Sequence, residues 1–225
     1  IQGDAFSPLL FVLMIDPLIK IIKTKLGERV EVLYYMDDLK VSMTNIETAQ
    51  TVHGIVKRYA ASVGMVINAK KSAIQLNVAT PLPQSLQDIP RMDEATYKYL
   101  GFEMMKGEVD RKRMMAKLEE RIAEKLEEQT TRVEVFETRS WIHFINQNIM
   151  SLVRFYSGPV KFTLGWLDSV DKMIRQHLTQ QGMLMKRGMA TSRLYMKPDD
   201  KGMGLKSCIA VYLVELVRLL LQYKW

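Results

Sequence analysis

The chain has 225 residues, 48% hydrophobic and 25% charged, with 32 basic and 25 acidic side chains and a formal net charge of +7. This composition belongs to a folded globular protein and excludes a wholly disordered one. A single cysteine, Cys208, excludes an intrachain disulfide framework and points to a reducing, intracellular setting. The longest apolar runs, 7–15 and 209–221, are ended by Asp16 or cut by Glu215 and Arg218. Neither reaches the roughly 20 residues that cross a bilayer, so no membrane partner is expected.

Ser7-Pro8 followed by an apolar run reads as a helix start, with Ser7 as the cap and Pro8 tolerated in the first turn; Pro17 is expected to break or bend it. Residues 30–35 and 39–43 are short β-branched and aromatic runs around Met36-Asp37-Asp38, the pattern of a hairpin. Thr44-Asn45-Ile46-Glu47 has capping-box spacing, and Ile46, Ala49, Val52, Val56, Tyr59 and Val63 then recur at helical intervals until Gly64 stops them. Residues 65–67 and 72–76 can be strands around an Asn68-to-Lys71 turn, 80–90 is a proline-bearing loop, and 97–104 is a further strand. From Asp110 the pattern is helical: Met115, Leu118, Ile122 and Leu126 line one face. Apolar-periodic stretches over 133–156, 164–185 and 207–223 continue it, with Gly158-Pro159 as a break. The expected fold is α+β at 1–108 and all-helical at 109–225.

Charge divides the same way. Residues 1–108 carry 12 basic and 12 acidic side chains, whereas 139–225 carry 13 and 5, a net of +8. Such an excess suits either a polyanion surface or a plain solvated face.

The adjacent carboxylates of Asp37 and Asp38 are the sharpest chemical feature. Two such charges about 5 Å apart repel by roughly 3 kcal/mol at an effective dielectric of 20, and a divalent cation relieves that. An exposed Asp-Asp turn screened by water is the alternative. His53, His143 and His177 lie on helices with no zinc-ligand spacing, and the 16 methionines read as core filler. Trp141, Phe144, Phe155, Tyr156 and Trp166 alternate with Arg139, Arg154 and Lys161, and most of these rings are expected in the core.

Taken in order, Gln2-Gly3 through Phe11, Tyr35-Met36-Asp37-Asp38, Gly64 through Ser72 and Tyr99-Leu100-Gly101-Phe102 resemble the later motifs of reverse transcriptases. Arg193-Leu194-Tyr195-Met196 and Gly202-Met203-Gly204-Leu205 look like the end of the polymerase region in non-LTR retrotransposons. The resemblance implies a partial polymerase palm at 1–108, antiparallel strands with helices, and a helical thumb with a C-terminal extension at 109–225. By the same likeness, Gln2 and Gly3 lie beside nucleotide and template, and Met36 beside the primer end. Asp37 and Asp38 hold two catalytic Mg²⁺ ions, Lys71 neutralises the leaving pyrophosphate, and Leu100 and Gly101 grip the primer. A pre-helix turn, a solvated turn lysine and a packed strand with a bulge are the plain alternatives for Gln2-Gly3, Lys71 and Leu100-Gly101.

The likeness also implies a first catalytic aspartate and fingers upstream of the Gln2-Gly3 motif, so we expect a piece of a longer protein that is inactive by itself, the two Mg²⁺ ions being those of the intact parent. RNA or an RNA–DNA duplex is the expected partner, contacted by Arg139, Arg154, Lys186 and Arg187, with a missing palm-and-fingers half in trans or ribonucleoprotein subunits as further partners. The alternative is a non-catalytic RNA-binding component of a ribonucleoprotein.

Overall fold

A computed structural model describes residues 5–76, 80–92, 96–132, 137–182 and 190–223. The architecture is α+β, with small antiparallel sheets in a mainly helical chain. Two units, 1–107 and 108–225, each carry their own contacts.

In the first unit, helix α1 spans Ser7–Leu26. Its N-cap position is Phe6, so Ser7 is the first helical residue and not the cap. Pro17 lies inside α1 and does not break it. An interior proline costs about 3 kcal/mol. Leu18, Ile19, Ile22 and Leu26, all buried beyond it, each return about 1.5–3 kcal/mol, which is why the helix persists. An Asp16–Lys20 ion pair of 2.7 Å spans the same turn.

Strands β1 (Val30–Tyr35) and β2 (Asp38–Met43) form an antiparallel hairpin in the register Val30↔Met43, Val32↔Val41, Tyr35↔Asp38. Because side chains alternate, Val30, Val32, Leu39, Val41 and Met43 pack against the buried cluster of Leu18, Ile22, Leu26, Val52 and Ile55. Helix α2, Ile46–Ser62, supplies the last two. Its cap is Asn45, not Thr44: the Asn45 side chain accepts from the Thr48 amide at 2.8 Å, and asparagine is at least as good a cap as threonine. Gly64, at φ +74°, ends the helix while the Met65 amide closes onto the Ala60 carbonyl at 2.8 Å. The Tyr59 hydroxyl donates to the Met14 carbonyl, tying α2 to α1.

The strands expected at 65–67 and 72–76 do not form. Asn68 accepts from the Lys71 amide and caps a 3₁₀ turn, Ala69–Lys71, which uses up the local backbone. Only an isolated parallel bridge, Ile74 with Arg91, follows. The single strand expected over 97–104 is instead a hairpin, β3 (Tyr97–Tyr99) and β4 (Phe102–Met105). Leu100 and Gly101 both take positive φ at its turn, +48° and +88°, as a tight two-residue hairpin of matching twist requires.

The second unit opens on β5 (Glu108–Val109), then α3 (Arg111–Arg132), where the Asp110 carboxylate accepts from the Arg113 amide at 3.1 Å. The buried row is Met114, Leu118, Ile122 and Leu126: Met114, not Met115, continues the spacing of four. Helix α4 (Thr138–Phe144) passes through a π-helical turn, Ile145–Ile149, into α5 (Met150–Val160). Gly158-Pro159 is not a break; α5 runs through it and ends where Lys161 turns left-handed at φ +49°. Helices α6 (Leu164–Gln180), α7 (Thr191–Tyr195) and α8 (Cys208–Gln222) complete the unit around Trp141, Ile145, Met150, Leu167, Ile174 and Leu205. Trp141 and Tyr156 are core, Phe144 and Trp166 are partly buried, and Phe155 is exposed. Among the described residues, no helix is long and apolar enough to cross a membrane.

Candidate active-site hairpin and its surroundings

The acidic pair sits where β1 turns into β2. With Tyr35 opposite Asp38, the two-residue turn is Met36-Asp37, and Asp38 is the first residue of β2. Met36 has φ +52°, a conformation costing a non-glycine residue about 1 kcal/mol or more, held by the paired strands on both sides. Asp37 and Asp38 are both exposed at this tip.

Strand alternation puts Asp38 and Lys40 on the face of the hairpin opposite the α1–α2 core. There Lys40 Nζ lies 5.5 Å from the centre of the Tyr99 ring. Burial, and after it the charge of Asp38, raises the Tyr99 phenol above the ordinary tyrosine value. Asp38 thus shares a face with the lysine that reaches Tyr99, the residue that leads into the Leu100-Gly101 turn. The structure thus brings the acidic hairpin and the second hairpin together. Lys40 and its contact with Tyr99 were missed in the sequence, although the i, i+2 spacing of Asp38 and Lys40 signals a shared face.

Lys71 is exposed at the end of its 3₁₀ turn, and its described contact is the local one to Asn68. Gln2 and Gly3, like Lys186 and Arg187, lie outside the described residues. Arg139 is exposed on α4. Arg154 is engaged within its own unit, its Nε 2.8 Å from Glu215 Oε1.

Hard carboxylate oxygens suit Mg²⁺, which is commonly held by one or two carboxylates together with waters and substrate phosphates. Asp37 and Asp38 fit that donor set in kind. Among the described residues, no third histidine, cysteine or acid joins them to make a three-ligand group.

Two exposed carboxylates thus stand on a strained hairpin turn beside a second tight hairpin. Residues 1–104 match the model of the reverse transcriptase (RNA-dependent DNA polymerase) family. That match spans Asp37, Asp38, Lys71, Leu100 and Gly101 and supports a reverse-transcriptase-derived domain. No curated protein matches the chain. Reverse transcriptases generally use Mg²⁺ and bind nucleic-acid templates.

Proposed function

We propose that this chain is part of a reverse transcriptase of non-LTR retrotransposon type, with residues 1–108 from its palm and 109–225 forming its thumb and C-terminal extension. The observation that carries this reading is the Tyr35-Met36-Asp37-Asp38 turn inside the family-matched segment. In the complete enzyme Asp37 and Asp38 would hold the metal ions, which supply charge neutralisation for transfer of a nucleotide to a primer hydroxyl. The chain's own residues have three tasks: the strained turn presents the carboxylates, the Lys40–Tyr99 contact orients the Leu100-Gly101 turn toward the primer, and Lys71 balances negative charge on the pyrophosphate. Template and primer are held through their backbones, because a copying enzyme must accept any sequence.

A second reading is a non-catalytic RNA-binding component of a ribonucleoprotein. It is favoured by the net charge of +8 over 139–225. One experiment separates the readings. Mn²⁺ added to the chain bound to an RNA–DNA template-primer should broaden the Met36 methyl resonance, and Asp37→Asn with Asp38→Asn should abolish the broadening. Template-primer binding without any metal-dependent broadening at Met36 would overturn the catalytic reading and leave the RNA-binding one.

A further inference from the structure

Most cations of the C-terminal region that can be followed on helices are already engaged. Arg154 and Arg218 share Glu215 at 2.8 and 3.7 Å, Lys172 pairs with Asp168 at 2.8 Å, and Arg175 donates to the Tyr195 hydroxyl at 2.7 Å. Arg193, Lys197, Lys201 and Lys206 are different. All four are exposed, and they form no ion pair among the described residues. All four fall on one turn.

We propose that the turn over residues 193–206 is a contact for the phosphate backbone of nucleic acid, made by Arg193, Lys197, Lys201 and Lys206. The inference rests on the reading that this chain handles a nucleic-acid duplex, and adds a site within the helical unit. The turn is closed by its own backbone and by Asn146. The amides of Met203 and Leu205 donate to the carbonyls of Arg193 and Leu194, both at 3.0 Å, and Gly204 and Gly202 donate to Met196 and Lys197, both at 2.9 Å. From the π-helical turn, Asn146 Nδ2 donates to the Gly204 carbonyl at 2.8 Å while its Oδ1 accepts from the Lys206 amide at 2.9 Å. Leu194 and Leu205 anchor the platform in the core, exposed by only 1% and 2%.

This folding-back gathers charge. The Lys197 carbonyl receives the Gly202 amide, and Arg193 Nε reaches the Lys201 carbonyl at 3.4 Å, so the backbone brings Arg193, Lys197 and Lys201 to one side of the same fold-back. Like charges held together destabilise a fold by mutual repulsion unless an anion relieves them. Asp199 and Asp200 offset part of the charge and leave the segment at +2. That balance fits a grip on a few phosphates rather than a long track. Phosphate oxygens suit both the arginine fork and the lysine ammonium groups.

The test is a titration of a labelled RNA–DNA duplex with the 225-residue chain over a range of salt. The variant carries Lys197→Gln, Lys201→Gly and Lys206→Gln; glycine suits position 201, where φ is +58°. Each phosphate left without its cation should lower the slope of log affinity against log salt by about 0.9, so the slope of the triple variant should be smaller by roughly two to three units. A control with Lys57→Gln and Arg58→Gln on α2 should keep the wild-type slope, and Lys197→Arg with Lys206→Arg, which conserves both charges, should keep it too. An unchanged slope in a triple variant that melts like the wild type would overturn the inference and leave the polymerase reading intact. Failure of the wild type to bind duplex or single-stranded RNA at low salt would overturn both. Tighter, salt-dependent binding to polyglutamate than to RNA would overturn the inference in favour of an acidic protein partner.

Discussion

The Lys40 ammonium lies 5.5 Å from the centre of the Tyr99 ring, and this contact joins two hairpins that are 59 residues apart in the chain. At a partly exposed site such a cation–π pair contributes about 0.5–1 kcal/mol. A double-mutant cycle on Lys40→Met and Tyr99→Leu, followed by urea denaturation, should return a coupling of that size; additive losses would show the contact to be incidental.

Tyr99 itself is a reporter for Asp38. Its phenol titrates above the ordinary value, first through burial and second through the Asp38 charge. Asp38→Asn should therefore bring the Tyr99 titration down without returning it fully to that of an exposed tyrosine, as read by ring-carbon NMR shifts against pH. The sign for stability follows. A phenol whose folded pKa is raised contributes stability fully present below the unfolded value near 10, and lost as pH rises through the folded one.

The local features of the first unit were legible because their causes lie within a few residues. The Met36-Asp37 turn follows from two short β-branched runs, and the end of α2 from a glycine free to take positive φ. Pro17 and Pro159 misled for the opposite reason. Their local penalties are real, but burial on both sides of Pro17 and the nearness of the α5 end to Pro159 outweigh them. Residues 72–76 alternate like a strand yet find only the Ile74–Arg91 bridge as a partner, and alternation cannot reveal a missing neighbour. Asn146 was invisible for the same physical reason: its partners, Gly204 and Lys206, are 58 and 60 residues away.

Asp171 is a buried carboxylate on α6 that starts another helix. Its Oδ1 accepts from the Cys208 amide at 2.9 Å and its Oδ2 from the Ser207 hydroxyl at 2.8 Å, at the N-terminus of α8, where negative charge is favoured. Asp171→Ala should cost about 2–3 kcal/mol in denaturant melts, since it strands a buried amide donor, and Asp171→Asn should cost less. Burial, then Asp171, pushes the Cys208 thiol far up, so a thiol reagent at neutral pH should label it only on unfolding.

His177 makes stability fall in mild acid. It is buried, its Nε2 is 3.1 Å from the Thr130 hydroxyl, and burial lowers its pKa although Glu127, 3.8 Å away, works to raise it. The unfolded imidazole takes up its proton near 6.5, before the folded one does. Its contribution is thus fully present above about pH 6.5, declines as pH falls toward the folded pKa, and is constant below that. His177→Gln should flatten this part of a melting-temperature profile between pH 7 and 5.

The glycines of the 193–206 turn give a graded test of the platform. A methyl at Gly202 would sit 2.1 Å from the Met196 carbonyl oxygen, a clash with backbone that no rotamer relieves. Gly202→Ala should therefore displace the turn and cost about 3 kcal/mol, at the upper end for overpacking. At Gly204 the nearest atoms, on the Pro198 ring, lie at 3.2 Å, and the backbone has φ +77°, so Gly204→Ala should cost about 1–2 kcal/mol, mainly from the left-handed conformation. Gly165 meets nothing within 4 Å and lies in the first turn of α6. Gly165→Ala should be neutral or stabilise by up to about 1 kcal/mol, because alanine loses less freedom in a helix. Thermal and denaturant melts of the three variants should fall in that order. Equal small losses at all three positions would mean that the Met196 carbonyl can move aside, and that the turn is softer than its hydrogen bonds imply.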